Sequence, residues 1–182
     1  MVFSVNSVVV IDNSRNGYFN SAEVWSRIAF AEATPGFQGT VSGYTSGGVT
    51  AISGASSNTI DKFPFSSNAN ATDVGDLTIA RSRSSGQSSL VSGYTSGGYT
   101  PAATNTIDKF PFASNANATD VGDLTVARYS SAGQSSTTSG YTSGGTPPTT
   151  NIIDSFPFSS DANATDVGDL TVGRYGPAGQ QY

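Results

Sequence analysis

From Ser42 onward, short apolar or aromatic stretches alternate with breaks rich in Gly, Asn, Asp and Ser. That pattern predicts short strands separated by turns. Ser42-Gly43-Tyr44-Thr45-Ser46 reads as a strand, and the Gly47-Gly48 pair after it permits positive φ and close backbone approach. Phe63 and Phe65 stand two apart, on one face of a period-2 strand, and are core candidates. Pro64 between them cannot donate to a ladder and marks a strand end or a sheet edge. Asp73-Val74-Gly75-Asp76 reads as a turn. Leu77 and Ile79 then alternate with Thr78 and Ala80 as a half-buried strand, closed by Arg81.

The same run occurs three times. Ser-Gly-Tyr-Thr-Ser-Gly-Gly starts at Ser42, Ser92 and Ser139, and the Ile-Asp-x-Phe-Pro-Phe piece follows Asn58, Asn105 and Asn151. Ala-Thr-Asp-Val-Gly-Asp-Leu-Thr follows Asn70, Asn117 and Asn163. Arg81, Arg128 and Arg174 close the copies, and Gly86-Gln87, Gly133-Gln134 and Gly179-Gln180 follow. The period is about 47 residues. The extra residues of the first copy fall between Gly48 and Asn58, as expected of a surface connection. One unit this small cannot cover both faces of its sheet, so adjoining units must supply the cover. The expected organisation is all-β, with repeats at about 35–85, 86–132 and 133–182 behind a distinct segment at 1–34.

Composition narrows the chemistry. There is no His and no Cys, which removes the commonest general base, the thiol nucleophile, disulfides and the usual zinc or copper ligands. A net charge of −5 with only 8 Lys and Arg leaves no footprint for a nucleic-acid backbone and no basic stripe for anionic lipid. No apolar run approaches the ~18 residues of a membrane-spanning helix, and the start lacks the features of a secretory signal. Val outnumbers Leu 14 to 4, which favours strands.

The N-terminal segment does not repeat. Phe3 to Asp12 reads as two short strands around Asn6-Ser7, and Asn13 to Gly17 is a turn cluster. Asn20 to Ala33 fits either a helix, with Asn20 and Glu23 as a capping pair and Val24, Ile28 and Ala31 on one face, or a strand. Trp25, the only Trp, is a packing anchor and a candidate for docking on a partner chain.

An apolar strand ending in Gly-Gly, then Asn-x-Ile-Asp-x-Phe, a turn, a further strand and a closing Arg resembles the kelch-type propeller blade. The resemblance spans roughly Gly36 to Tyr182, and the family's period is ~50 residues. It implies blade-type β repeats, preceded here by the short extended N-terminal segment. Three blades are fewer than the roughly four to eight of a closed propeller. Homo-oligomerisation is therefore expected, and it would also hide exposed end strands. The wording of the unit is similar to repeats in structural proteins of marine and cyanobacterial phages. Val5-Asn6 with Val10-Ile11-Asp12-Asn13-Ser14-Arg15-Asn16-Gly17 is similar to segments of phage tail-fibre and appendage proteins. That likeness implies docking on other virion proteins through Val10, Ile11, Arg15 and Trp25.

The remaining candidates have plainer readings beside them. Asp161 to Asp169 places oxygen ligands at short spacing, but without the later bidentate acid of a calcium loop it reads as a turn. Asn70, Asn117 and Asn163 head sequons in form and also read as turns. Tyr44, Tyr94 and Tyr141 are candidate glycan contacts, against packing between units. Paired acids such as Asp73 and Asp76 occur in every copy, which argues for structure rather than an active site assembled once. No cofactor, metal or enzymatic activity is expected. The expected role is a phage virion component (fibre, knob, or capsid or tail decoration) at the particle surface. The alternatives are a host-polysaccharide adhesin and a cellular extracellular filament or surface protein.

Overall fold

The structure, a computed structural model, describes residues 2–5, 8–11, 39–50 and 54–181. The chain divides into two compact units, Met1–Gln38 and Gly39–Tyr182. In the first, β1 (Val2–Val5) pairs antiparallel with β2 (Val8–Ile11), in register from Val2↔Ile11 to Val5↔Val8. The two strands expected there are present, and Val10 and Ile11 lie on β2. Arg15, Trp25 and the Asn20–Ala33 stretch lie outside the described residues.

The described part of the second unit is all-β. Its leading sheet has three strands, β3 (Ser42–Ser46), β6 (Thr59–Pro64) and β7 (Thr72–Asp76), with a small hairpin of β4 (Val49–Thr50) and β5 (Ala55–Ser56) between β3 and β6. The middle sheet is a four-stranded antiparallel meander of β8 (Ser85–Ser88), β9 (Ser92–Tyr99), β10 (Ala103–Pro111) and β11 (Thr119–Asp123). The trailing sheet repeats that order with β12 (Ala132–Ser135), β13 (Ser139–Ser143), β14 (Ile152–Pro157) and β15 (Thr165–Asp169). β6, β10 and β14 all end on proline, where the ladder loses a donor. These sheets stay separate, and no closed ring of strands forms among the described residues.

Two expectations are corrected. Thr72–Asp76 is a strand, not a turn, and 77–80 is not a strand. The pairing Ile60↔Gly75 is followed by Asp61↔Asp73, so Val74 is an extra residue at a bulge. Asp73 accepts a hydrogen bond from Gly75 N at 3.1 Å, a local loop that mimics turn chemistry inside a strand. The same bulge lies at Val121 and Val167. Leu77 still buries, at 3% exposure, but Ile79 is 45% exposed, because the backbone at Thr78 leaves the ladder to bond a side chain of the next sheet.

Each sheet has two working faces, because successive strand residues point to opposite sides. On β10, Asp108 and Phe110 face the leading sheet, while Ile107 and Lys109 face the trailing one. The core is accordingly split into two clusters, one between each pair of sheets. Ile60, Leu77, Phe110 and Ala118 form the first, and Tyr94, Ile107, Leu124, Phe156 and Ala164 the second. The glycine before each tyrosine has a steric reason. A Cβ on Gly93 would sit 2.3 Å from the Phe110 ring opposite it, and Gly140 stands in the same relation to Phe156.

Of the two core candidates read from the first copy, Phe63 is half-buried and Phe65 is 52% exposed. No preceding sheet covers them among the described residues. Phe110 and Phe156, the equivalents of Phe63, are buried, and Phe112 and Phe158, the equivalents of Phe65, are half-buried. Phe110→Ala should therefore cost about 3–5 kcal/mol in urea unfolding, and Phe65→Ala about 0.5 kcal/mol or less. Equal losses would contradict this assignment of the core.

Candidate assembly interface

The residues with the most chemistry in each repeat meet where one sheet faces the next. Asp108, on β10, is fully buried and points back at the leading sheet. Its carboxylate accepts from Thr78 N at 2.9 Å and Thr78 Oγ1 at 2.7 Å, and pairs with Arg81 Nη2 at 3.1 Å. Arg81 Nη2 also donates to Thr95 O on β9 at 2.9 Å. At the next junction, Asp154 accepts from Thr125 N at 3.0 Å and Thr125 Oγ1 at 2.7 Å and pairs with Arg128 Nη2 at 3.0 Å, which reaches Thr142 O at 2.9 Å. Leu-Thr-x-x-Arg of one copy is thus clasped by the Asp of Ile-Asp in the following copy.

Burial pushes the Arg81 guanidinium pKa down from its ordinary value, opposed by Asp108 and then Asp120. Burial does the same to Arg128, opposed by Asp154 and then Asp166. The Nε and Nη1 atoms of both arginines have no hydrogen-bond partner among the described residues. Each pair is half-satisfied, so its net stabilisation is small, whereas removing the carboxylate leaves an uncompensated buried cation.

Aromatic and backbone contacts surround the pair. Tyr44 stacks on Phe112 at 4.8 Å and tilts against Phe110 at 5.5 Å, and Tyr94 meets Phe158 and Phe156 at 4.9 and 5.4 Å. Such contacts are worth about 0.5–1.5 kcal/mol each beyond their buried area. Asn117 Oδ1 accepts from Asp76 N, and Ala118 N donates to Asp76 O. Asn163 and Ala164 repeat both bonds with Asp123. A Cβ on Gly75 would lie 2.4 Å from Ala116 O, and one on Gly122 2.4 Å from Ala162 O.

The first strands of the two complete sheets also touch. A Cβ on Gly133 would lie 2.2 Å from Gly86 O, so glycine in Gly-Gln is a packing requirement. Buried Gln87 holds its amide nitrogen within 2.8–2.9 Å of Ser96 Oγ, Tyr141 O and Thr142 Oγ1, bonding its own sheet to the next.

These contacts absorb several residues singled out in the sequence. Tyr44 and Tyr94 have their rings against phenylalanines of the following sheet, and burial pushes the Tyr94 hydroxyl pKa up. Tyr141, half-buried, has no aromatic partner among the described residues. In the Asp161–Asp169 stretch, Asp161 pairs with Lys109 at 2.9 Å and Asp166 accepts from Gly168 N at 3.0 Å. No cluster of three metal-ligating side chains occurs among the described residues. The Asp108–Arg81 clasp and Gln87 were not anticipated. The available signal was the recurrence of Asp, Thr, Arg and Gln at fixed places in every copy.

No family model matches the sequence, and no curated protein matches it.

Asp108→Ala should cost about 3–5 kcal/mol, because Arg81 is left buried and unpaired. Asp61→Ala, at the equivalent half-exposed place on the leading sheet, should change the stability of the monomeric chain by about 0.5 kcal/mol or less. Chemical denaturation of both variants under monomeric conditions checks the contrast, and a mild effect at Asp108 would remove the clasp from its central place.

Proposed function

We propose that this chain is a non-catalytic structural component of a phage virion, acting in assembly and surface display. The observation that carries the reading is the use made of the repeated polar residues. Asp108, Arg81, Thr78, Asn117 and Gln87 hold one sheet to the next. Among the described residues, what faces outward is a weakly charged surface rich in Ser, Thr, Asn and Gly. That arrangement suits a rigid projecting module better than a reaction site.

The finer architecture proposed is that of kelch-like blades, one per repeat. In support, the middle and trailing sheets are meanders in chain order, and the first strand of each follows directly on the closing Arg of the preceding copy. The N-terminal segment, with its β1–β2 hairpin, is the proposed attachment to other virion proteins, and copies of the chain are proposed to combine.

A second reading, a polysaccharide-binding adhesin, draws on a groove of about 400 Å³ lined by Ser56, Ser82, Arg83, Tyr99, Thr100 and Pro101. Arg83 stands 5.6 Å from the Tyr99 ring and 5.5 Å from the Tyr129 ring. Aromatic faces beside hydroxyls and a guanidinium are the chemistry of carbohydrate contact. On a glycan array the adhesin would show saturable binding that Tyr99→Ala abolishes.

Removing residues 1–34 should abolish incorporation into particles while leaving the melting transition of the β repeats in place. Mass spectrometry of purified virions, with intact and truncated chains, reads this directly. Normal incorporation of the truncated chain would end the docking role, and absence of the intact chain from virions would end the virion reading.

A further inference from the structure

The two outer faces of the three-sheet stack are the two halves of the interface already seen between its sheets. At the trailing end, Arg174 is exposed, whereas Arg81 and Arg128 are 0% exposed. Ile153 and Leu170 are half-buried there, against 0% for Ile60 and Ile107 and 3% for Leu77 and Leu124. Gly168 has nothing within 4 Å of an added Cβ, where Gly75 and Gly122 each meet a carbonyl of the following sheet. At the leading end, Asp61 is half-buried, against 0% for Asp108 and Asp154. Ala71 is exposed, against 8% and 7% for Ala118 and Ala164.

The strand count carries the same message. Among the described residues the leading sheet has three strands, and no strand pairs with the outer edge of β3, where β8 and β12 lie in the other two sheets. Thr45 on that edge is exposed, while Thr95 and Thr142 are 1% and 0% exposed. Residues 178–181, Ala-Gly-Gln-Gln, follow Arg174 as β8 follows Arg81, yet pair with no strand. They lie against β12: Gln181 Oε1 accepts from Ser135 N, and a Cβ on Gly179 would lie 2.3 Å from Gly133 O. Gly179 thus repeats toward Gly133 the approach of Gly133 to Gly86. A spare first-strand segment at one end matches, at the other, an edge with no partner strand among the described residues.

We infer that a second copy of this chain docks head to tail, its leading sheet on the first copy's trailing sheet, completed by residues 178–181 of the first. The registers of β8 with β9 and of β12 with β13 fix the expected pairs: Ala178 opposite Ser46, Gly179 opposite Thr45, Gln180 opposite Tyr44 and Gln181 opposite Gly43. Asp61 of the second copy then accepts from Thr171 and Arg174 of the first. Tyr141 stacks on Phe65 beside Phe63, and Asn70 and Ala71 bond the backbone of Asp169. Gln134, which among the described residues bonds Ser143 of its own sheet, gains the equivalents of the acceptors that Gln87 finds in Tyr141 and Thr142. The interface joins different surfaces, so it repeats until it closes. Two copies supply six sheets, inside the range of about four to eight at which such sheets close a ring, so closure at two copies is expected. The inference deepens the reading that copies combine and stands whether or not the assembly belongs to a virion.

The test uses the full-length chain in solution. Sedimentation should give twice the chain mass, and removal of residues 178–182 or Asp61→Ala should shift it to the single-chain mass. A wild-type monomer would overturn the proposal together with the reading that copies combine. A dimer untouched by both changes would overturn this interface alone, and a series of open polymers would overturn closure at two. Because the chain has no cysteine, a second measurement is clean. Under mild oxidation, Ser46→Cys mixed with Ala178→Cys should form covalent dimers, while neither alone should. Cross-linking of either variant with itself, a link within one doubly substituted chain, or no link in the mixture would each overturn it.

Discussion

The stack depends on one buried contact, the carboxylate of Asp108 or Asp154 reaching back to the Thr and Arg that end the preceding sheet. The core around it is thin: among the described residues ten apolar side chains are buried, nine of them split between two junctions. Hydrophobic cover alone is non-directional and would tolerate one sheet sliding over another. A buried guanidinium is not so tolerant. Its cost falls only if the next sheet presents a carboxylate at one place, and a slide would leave both charges unpaired in a dry environment. The pair adds little net stability, but it penalises every other register.

Glycine does the complementary work of letting the sheets come close enough for the clasp to form. Gly75 and Gly122 sit under a carbonyl of the neighbouring sheet, and Gly133 sits over the carbonyl of Gly86. Any side chain at these places would push the sheets apart and lengthen the Thr–Asp bonds, which are now 2.7 Å. Clasp and clearance are coupled, which is a physical reason for the copies to stay nearly identical. A repeat that changed its glycine would lose the partner of its arginine.

Much of this was legible in the sequence, and the failures have definite causes. The repeat, the all-β class, the prolines at strand ends and the hairpin near the N-terminus all follow from periodicity and turn chemistry. Asp73 to Asp76 reads as a turn because an Asp–Gly loop forms at a bulge inside the strand, and local chemistry cannot distinguish the two settings. Ile79 alternates with Leu77 but is exposed, because Thr78 gives its backbone N–H to another sheet. The clasp was hidden for a related reason. Asp108 and Arg81 belong to different copies, so within one repeat the Asp looks like an exposed strand residue and the Arg like a surface terminus.

The same logic bears on the ends of the stack. Repeat arrays that stand alone usually carry atypical terminal units with polar outer faces. The trailing sheet instead keeps Ile153, Leu170 and Arg174 in the positions of the internal sheets, and the leading sheet keeps Asp61, Phe63 and Phe65. The one charged contact that differs between the junctions is peripheral. Lys109 meets Asp161 where Lys62 has Asn115 as the equivalent residue, and the trailing sheet carries Ser155 there, to be matched by Asn68. No choice leaves an unmatched charge when a leading sheet covers a trailing one. An exposed face built to internal specification costs solubility and gains nothing for an isolated stack. It is consistent with a surface whose working state is covered.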